Sequence, residues 1–265
     1  MYSSFQLAKK YVRYWLTASN GKGHGIHSPF VFDFIKNVLN DKKEYECYQL
    51  IEQRRKTLLN DSTIIEVEDF GAGSSVIKTN KRVVKDIAAS SLKPKKFSQL
   101  LFRIVNYYQP KTILELGTSF GVTTAYLASG NTNANIITCE GAKNIAAIAQ
   151  QTFTVLQLKN INLNQGDFGV TLPQTLSQLQ TVDLAFIDGN HRKEPTLDYF
   201  TKILNQSTQN SILIFDDIHW SAEMEAAWAE IQQHPQVTLT IDLFFIGIVC
   251  INNSIKVKQH FTIRF

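Results

Sequence analysis

Five short apolar segments, each followed closely by a helix-forming stretch, constrain this chain more than any other feature. They are "TILEL", "NIITCE", "INLNQGD", "VDLAFID" and "SILIFDD", all between positions 112 and 217. Nearly continuous apolar runs of this length suit strands buried on both faces, and the spacing leaves room for a helix after each. The combination predicts a parallel sheet covered on both sides. Helices are expected over Val122 to Ala128, Asn144 to Leu158, Leu172 to Gln180, Pro195 to Leu204 and Ala222 to Gln233. The amphipathic run "KKFSQLLFRIVNYYQ" precedes the first strand and is stopped by Pro110.

The end of the chain breaks the alternation. "VTLTID" and "FFIGIVCIN" lie too close together for a helix, so they should pair antiparallel, with one of them inserted into the sheet. The expected class is α/β: a Rossmann-like seven-stranded sheet with an antiparallel C-terminal hairpin and a mainly helical N-terminal extension, divided as 1–95 and 96–265. In the extension, Ser4 to Ala18, Pro29 to Asn40 and Lys43 to Asn60 show helical spacing, and "TIIEVEDF" reads as a short strand.

Composition excludes several classes. No apolar run reaches the roughly 20 residues of a membrane span. The N-terminus, "MYSSFQLAKKYVRYWL", lacks both a continuous apolar stretch and a small-residue cleavage site, so it is not read as a signal peptide. It reads as a helix packed on its own domain, with a helix lying on a membrane surface as the second reading. Cys47, Cys139 and Cys250 are few, odd in number and far apart. They fit a reducing cytoplasm and give neither a disulfide framework nor a zinc pattern. Positions 1–110 carry 18 Lys and Arg against 10 Asp and Glu, within totals of 27 and 23. The basic front is read as a solvated helical surface, with attraction of an acidic substrate or RNA as the alternative.

Two stretches resemble nucleotide-cradling loops: "EDFGAGSS", from Glu68 to Ser75, and "ELGTSFGVTT", from Glu115 to Thr124. Ligands of open α/β sheets bind beyond the carboxyl ends of the strands. The second stretch suits that place, because "TILEL" precedes it and "VTTAYLA" opens a helix after it. One strand later, "IITCE" ends in Glu140, placed to accept hydrogen bonds from ribose hydroxyls. The next strand end supplies Asp167, placed to accept from an adenine amino group. The first stretch is followed by a polar, basic run without a second strand ending in an acid. It has Val76 where a third glycine would stand, and the second stretch is G-x-x-x-G, so neither is a dinucleotide fingerprint.

"ELGTSFG" resembles the E/D-x-G-x-x-x-G loop of class I S-adenosylmethionine-dependent methyltransferases. With Glu140, Asp167 and "FIDGNH", the resemblance covers roughly residues 97–251. It implies that Glu115 orients the methionine amino group and that the backbone of Gly117, Thr118, Ser119 and Gly121 lies against the cofactor. It also implies that Glu140 and Gly141 border the ribose, Asp167 and Phe168 the adenine, and Asp188 the reacting end. "AFIDGNH" and "ILIFDD" are similar to the metal-dependent, catechol-type O-methyltransferases. On that likeness Asp188, Asp216 and Asp217 would hold Mg²⁺ (or Mn²⁺ or Ca²⁺), although Asp217 stands where the family has Asn. His191 stands where the family has its catalytic Lys. Its ordinary pKa of about 6.5 suits a base near neutrality. The chain as a whole also resembles bacterial methyltransferase-like proteins.

The implied reaction is methylation of an oxygen on a small-molecule acceptor. RNA or protein methylation and non-catalytic cofactor binding are the alternatives. His219 and Trp220 are expected to wall the substrate pocket. "EDFGAGSS" and "GKGHGIHSPFVF", with His24 and His27, are expected to form a lid, the latter most simply a glycine-rich connector.

Overall fold

The structure is a computed structural model and describes residues 1–67, 80–252 and 255–265. In chain order, α1 (Ser4–Thr17) and α2 (Pro29–Phe34) come first, α2 running on into a π-helical turn at Ile35–Leu39. Next are α3 (Glu46–Leu59), β1 (Ile64–Glu66), β2 (Lys81–Val83), α4 (Val84–Ser91) and α5 (Lys95–Tyr108). The alternating part is β3 (Thr112–Leu116), α6 (Val122–Gly130), β4 (Asn135–Glu140), α7 (Lys143–Val155), β5 (Ile161–Gln165), α8 (Phe168–Ser177), β6 (Val182–Ile187) and α9 (Lys193–Leu204). It closes with β7 (Ser207–Asp216), α10 (Ala222–Gln233), β8 (Leu239–Asp242), β9 (Ile246–Cys250) and β10 (Gln259–Thr262). Two compact units are present: residues 42–178, and residues 1–41 with 179–265.

The strand order is β10-β8-β9-β7-β6-β3-β4-β5. It is a Rossmann-like, mostly parallel sheet of eight strands. β9 pairs antiparallel with both β7 and β8, which is the expected insertion. The eighth strand is β10, parallel to β8 through the register Gln259 to Leu239. Its four residues are only partly buried, so they carry no apolar run that would mark a strand.

Local signals explain most element ends. In α1, Ser3 and Gln6 form a reciprocal capping box. Pro29 occupies the first turn of α2. α5 ends at Gln109, left-handed at φ 51°, directly before Pro110. α8 begins at Phe168 rather than near Leu172, because the side chain of Asp167 accepts from the Gly169 N–H at 2.8 Å and starts the helix earlier. Pro173 therefore lies inside the helix instead of near its start.

Within the unit made of 1–41 and 179–265, α1 packs on its own domain, as the first reading of the N-terminus expects. The rings of Tyr11 and Tyr14 lie 5.1 and 5.3 Å from that of Phe244, and the Tyr14 hydroxyl donates to the Ile263 carbonyl. A polar chain reinforces the contact. Tyr2 OH and Lys10 Nζ donate to Glu225 at 2.7 and 2.9 Å. The His219 ring lies between Glu225 and Asp242, one nitrogen 2.9 Å from each, and stacks on Phe244. Only an imidazolium donates from both nitrogens.

Burial pushes the His219 pKa down, but the hydrogen bonds and charges of Asp242 and then Glu225 outweigh it, and the net shift is upward. For Glu225 burial acts upward, and Tyr2, Lys10 and His219 reverse it, leaving the carboxyl below its usual range. The His219 contribution to stability is complete below its ordinary value of 6.5 and is lost as pH rises through the higher folded value. The Glu225 contribution is complete above 4.5 and is lost as pH falls through the lower folded value. The melting-temperature advantage of the native chain over His219→Gln should therefore be largest between those two values and shrink toward pH 9. An advantage that stays constant from pH 5 to pH 9 would contradict this.

Candidate active site

The turn after β3 is built from left-handed residues: Gly117 at φ 99°, Ser119 at 49° and Gly121 at 77°. The Gly117 and Thr118 N–H groups donate to the Cys139 carbonyl of β4 at 3.0 and 3.2 Å. Glu140, at the end of β4, grips the same turn. Its Oε2 accepts from the Ser119 N–H at 2.9 Å, and its Oε1 accepts from the Ala142 N–H at 3.0 Å. Gly121 is required twice over: its φ is positive, and an added Cβ would stand 2.5 Å from the Phe153 ring.

Glu115 is fully buried. Its Oε2 accepts from Thr124 Oγ1 of α6 at 2.5 Å and from Thr138 Oγ1 of β4 at 2.6 Å. Thr138 Oγ1 is also 2.5 Å from Thr118 Oγ1. Glu115 thus anchors the inner side of the turn through three hydroxyls, a role not legible from the motif. Ser91, at the end of α4, adds a contact from outside the motif, its Oγ lying 2.9 Å from that of Ser119. The Gly141 carbonyl accepts from Gln165 Nε2 at 3.2 Å. Asp167 is exposed and uses Oδ1 as the α8 cap, while Phe168 is the first residue of that helix and half-buried.

The ends of β6 and β7 carry the second group. Asp188 follows β6, and His191 Nε2 lies 3.4 Å from its Oδ1. The turn between them is left-handed at Asn190 (φ 67°) and His191 (φ 38°). It is pinned to α9 by Asn190 Nδ2, which donates to Tyr199 OH at 2.6 Å. Asp216 ends β7 and is buried. Asp217 is left-handed at φ 52°, and its N–H donates to the Phe245 carbonyl at 2.7 Å. Left-handed backbone at bulky residues is costly and accumulates at functional turns.

Two expectations change here. Burial lowers the His191 pKa, but the hydrogen bond and charge of Asp188, and the charges of Asp217 and Asp216, outweigh it and push the imidazole up to about 9. At neutral pH His191 is a cation rather than the neutral base that its ordinary value suggests. The metal reading meets the same arrangement. Among the described residues no three His, Cys, Asp or Glu side chains are grouped as a metal site. As arranged, these residues do not fit a divalent cation.

His219 belongs to the α1 network already described, and the Trp220 carbonyl accepts from the Tyr2 N–H at 3.1 Å, so neither is described by the pocket-wall reading alone. His24 and His27 are exposed on a segment with left-handed Gly23 and Gly25. "EDFGAGSS" lies outside the described residues.

Comparison with known proteins decides what the β3 turn belongs to. Residues 114–218 match the family model described as "Methyltransferase domain". Over that segment the chain is thus similar to a methyltransferase domain. Its fold is shared with the SAH-bound methyltransferase PaMTH1 of Podospora anserina at 15% identity and TM-score 0.59, covering 85% of this chain and 97% of that one. It is shared also with an O-methyltransferase from Bacillus cereus in complex with SAH, at 19% identity and TM-score 0.53, covering 83% and 97%. The O-methyltransferase TomG of Streptomyces achromogenes, in complex with SAM, gives 16% identity and TM-score 0.56 over 80% and 92%. A search of curated proteins returns no match. The matched segment begins inside β3 and ends just past Asp217, so it contains both groups of strand-end residues.

Two measurements check this geometry. Gly121→Ala should cost about 2 kcal/mol or more in chemical denaturation, from backbone strain plus the clash with Phe153. Gly25→Ala, at the same φ but with nothing within 4 Å, should cost about 1 kcal/mol from strain alone. Equal costs would refute the packing argument. In metal-free protein, NMR titration should place His191 near pH 9, with a clear fall in Asp188→Asn. A native midpoint at the ordinary histidine value would refute the electrostatic one.

Proposed function

We propose that this methyltransferase domain transfers a methyl group to an oxygen of a small-molecule acceptor, in the cytoplasm. The observation that carries the cofactor assignment is the grip of Glu140 on the left-handed turn after β3. Backbone N–H groups already orient the carboxylate at the strand end where the ribose hydroxyls would meet it. Gly117, Thr118, Ser119 and Gly121 would lie along the cofactor, Gly141 beside the ribose, Asp167 and Phe168 at the adenine, and Glu115 beneath the amino-acid end. The residues present fit the group. S-adenosylmethionine, when bound, supplies an electrophilic methyl on a sulfonium.

The chain's own work is then positioning and proton handling. The acceptor oxygen must meet the methyl in line, and geometry of that kind contributes much of the acceleration in group transfer. The acceptor hydroxyl gives up its proton as the new carbon–oxygen bond forms. In this reading His191 receives it at Nδ1, while Asp188 holds the proton on Nε2, and with it the ring and the positive charge that results. Because the folded pKa is about 9, the competent neutral ring becomes abundant only as pH rises through that value. No step is assigned to a metal.

The test is methyl transfer from labelled S-adenosylmethionine to a panel of catechols, phenols and aliphatic alcohols. Turnover should rise with pH through about 9, not level off near 7. His191→Ala should lower it by about 10²- to 10⁴-fold while leaving cofactor affinity nearly unchanged. Full activity in that variant would remove His191 from the chemistry.

A further inference from the structure

The outward face of α1 is apolar as well as the inward one. Leu7, Tyr11, Tyr14 and Ala18 form the side packed toward Phe244. On the opposite side Phe5 is 81% exposed, Val12 56%, Trp15 46% and Leu16 72%. With Ala8 these fall at i, i+3, i+7, i+10 and i+11, a single stripe on a helical surface. A helix that has already buried one apolar face ordinarily presents polar residues outward. Here the exposed stripe is bordered on one edge by Lys9 and Arg13, and Ser4–Thr17 contains no Asp or Glu.

We infer that this stripe docks on an anionic lipid bilayer. The chemistry matches on both counts: apolar side chains, with an aromatic at the edge, enter the headgroup boundary, while basic residues meet acidic lipid. A second copy of the chain fits less well. Two α1 helices packed antiparallel on this stripe would bring Lys9 and Arg13 toward their own counterparts, and α1 offers no carboxylate to pair with them. Parallel packing sets them against the partner's other edge, where α1 again offers no carboxylate. The helix is preformed: the Ser3–Gln6 capping box, the Tyr14 hydrogen bond and the Lys10–Glu225 ion pair hold it before any membrane is met. Docking therefore needs no folding step.

Co-sedimentation of the full chain with vesicles tests this. Phosphatidylcholine vesicles with about one-third phosphatidylglycerol, a typical anionic surface, should retain the protein at low salt. Pure phosphatidylcholine vesicles should retain much less, and high salt should release it. Phe5→Ser with Leu16→Ser should weaken binding about tenfold or more. Lys9→Gln with Arg13→Gln should weaken it about fivefold for each charge and remove most of the salt dependence. All four residues are exposed, so unchanged melting temperatures are expected and serve as the folding control. Binding to neither vesicle would overturn the inference, as would anionic binding that survives the Phe5 and Leu16 changes. Dimerisation in sedimentation equilibrium that those changes abolish, without vesicle binding, would assign the stripe to a second copy and equally overturn it.

Discussion

Burial of the central strands on both faces is the constraint from which the candidate site follows. Ile113, Leu114 and Leu116 of β3, like Phe186 of β6 and Leu213 and Ile214 of β7, have no exposed surface. Side chains that meet a ligand must then come from where a strand stops and the chain turns. At these ends the backbone is repeatedly left-handed, in Gly117, Ser119 and Gly121 after β3, in Asn190 and His191 after β6, and in Asp217 after β7. A left-handed residue re-aims the chain within one step, and its strain is held by surrounding contacts.

The two groups of strand ends solve the holding problem differently. After β3 the turn is fixed by hydrogen bonds: Glu115 receives threonine hydroxyls from below, and Glu140 receives backbone N–H groups from the side. After β6 and β7 the fixing is electrostatic, with His191 as a cation beside Asp188 and within reach of the charges of Asp216 and Asp217. The first arrangement gathers hydrogen bonds at the ends of β3 and β4, and the second concentrates charge at the ends of β6 and β7.

Much of this was legible in the sequence, for physical reasons. "TILEL", "NIITCE" and "VDLAFI" are strands because a two-face buried strand needs an unbroken apolar run, and such runs stand out. The inserted antiparallel strand was readable because too few residues separate β8 from β9 for a crossover. β10 was not, since an edge strand of two half-buried and two exposed residues carries no such run. The early start of α8 was missed because the acid at position 167 was read only as a ligand group, whereas it also caps the helix. The charge of His191 was unreadable in principle. Asp188, the strongest upward influence, stands three residues before the histidine, but that Asp188 contacts the ring, and that Asp217 and Asp216 add to it, follows from the turn and from strand pairing. The tie between His219, Glu225, Asp242 and Lys10 was hidden for the same reason.

What unites the account is the claim that the β3 turn, held by Glu140, is where S-adenosylmethionine binds. Calorimetric titration of the cofactor into the native chain and into Glu140→Ala tests it most directly, with melting temperatures recorded on both. The account predicts saturable, one-to-one binding to the native chain and a loss of affinity of about tenfold or more in the folded variant, as expected for a half-buried charged acceptor serving two hydroxyls. Equal affinity in the two proteins, or no binding to the native chain, would contradict it.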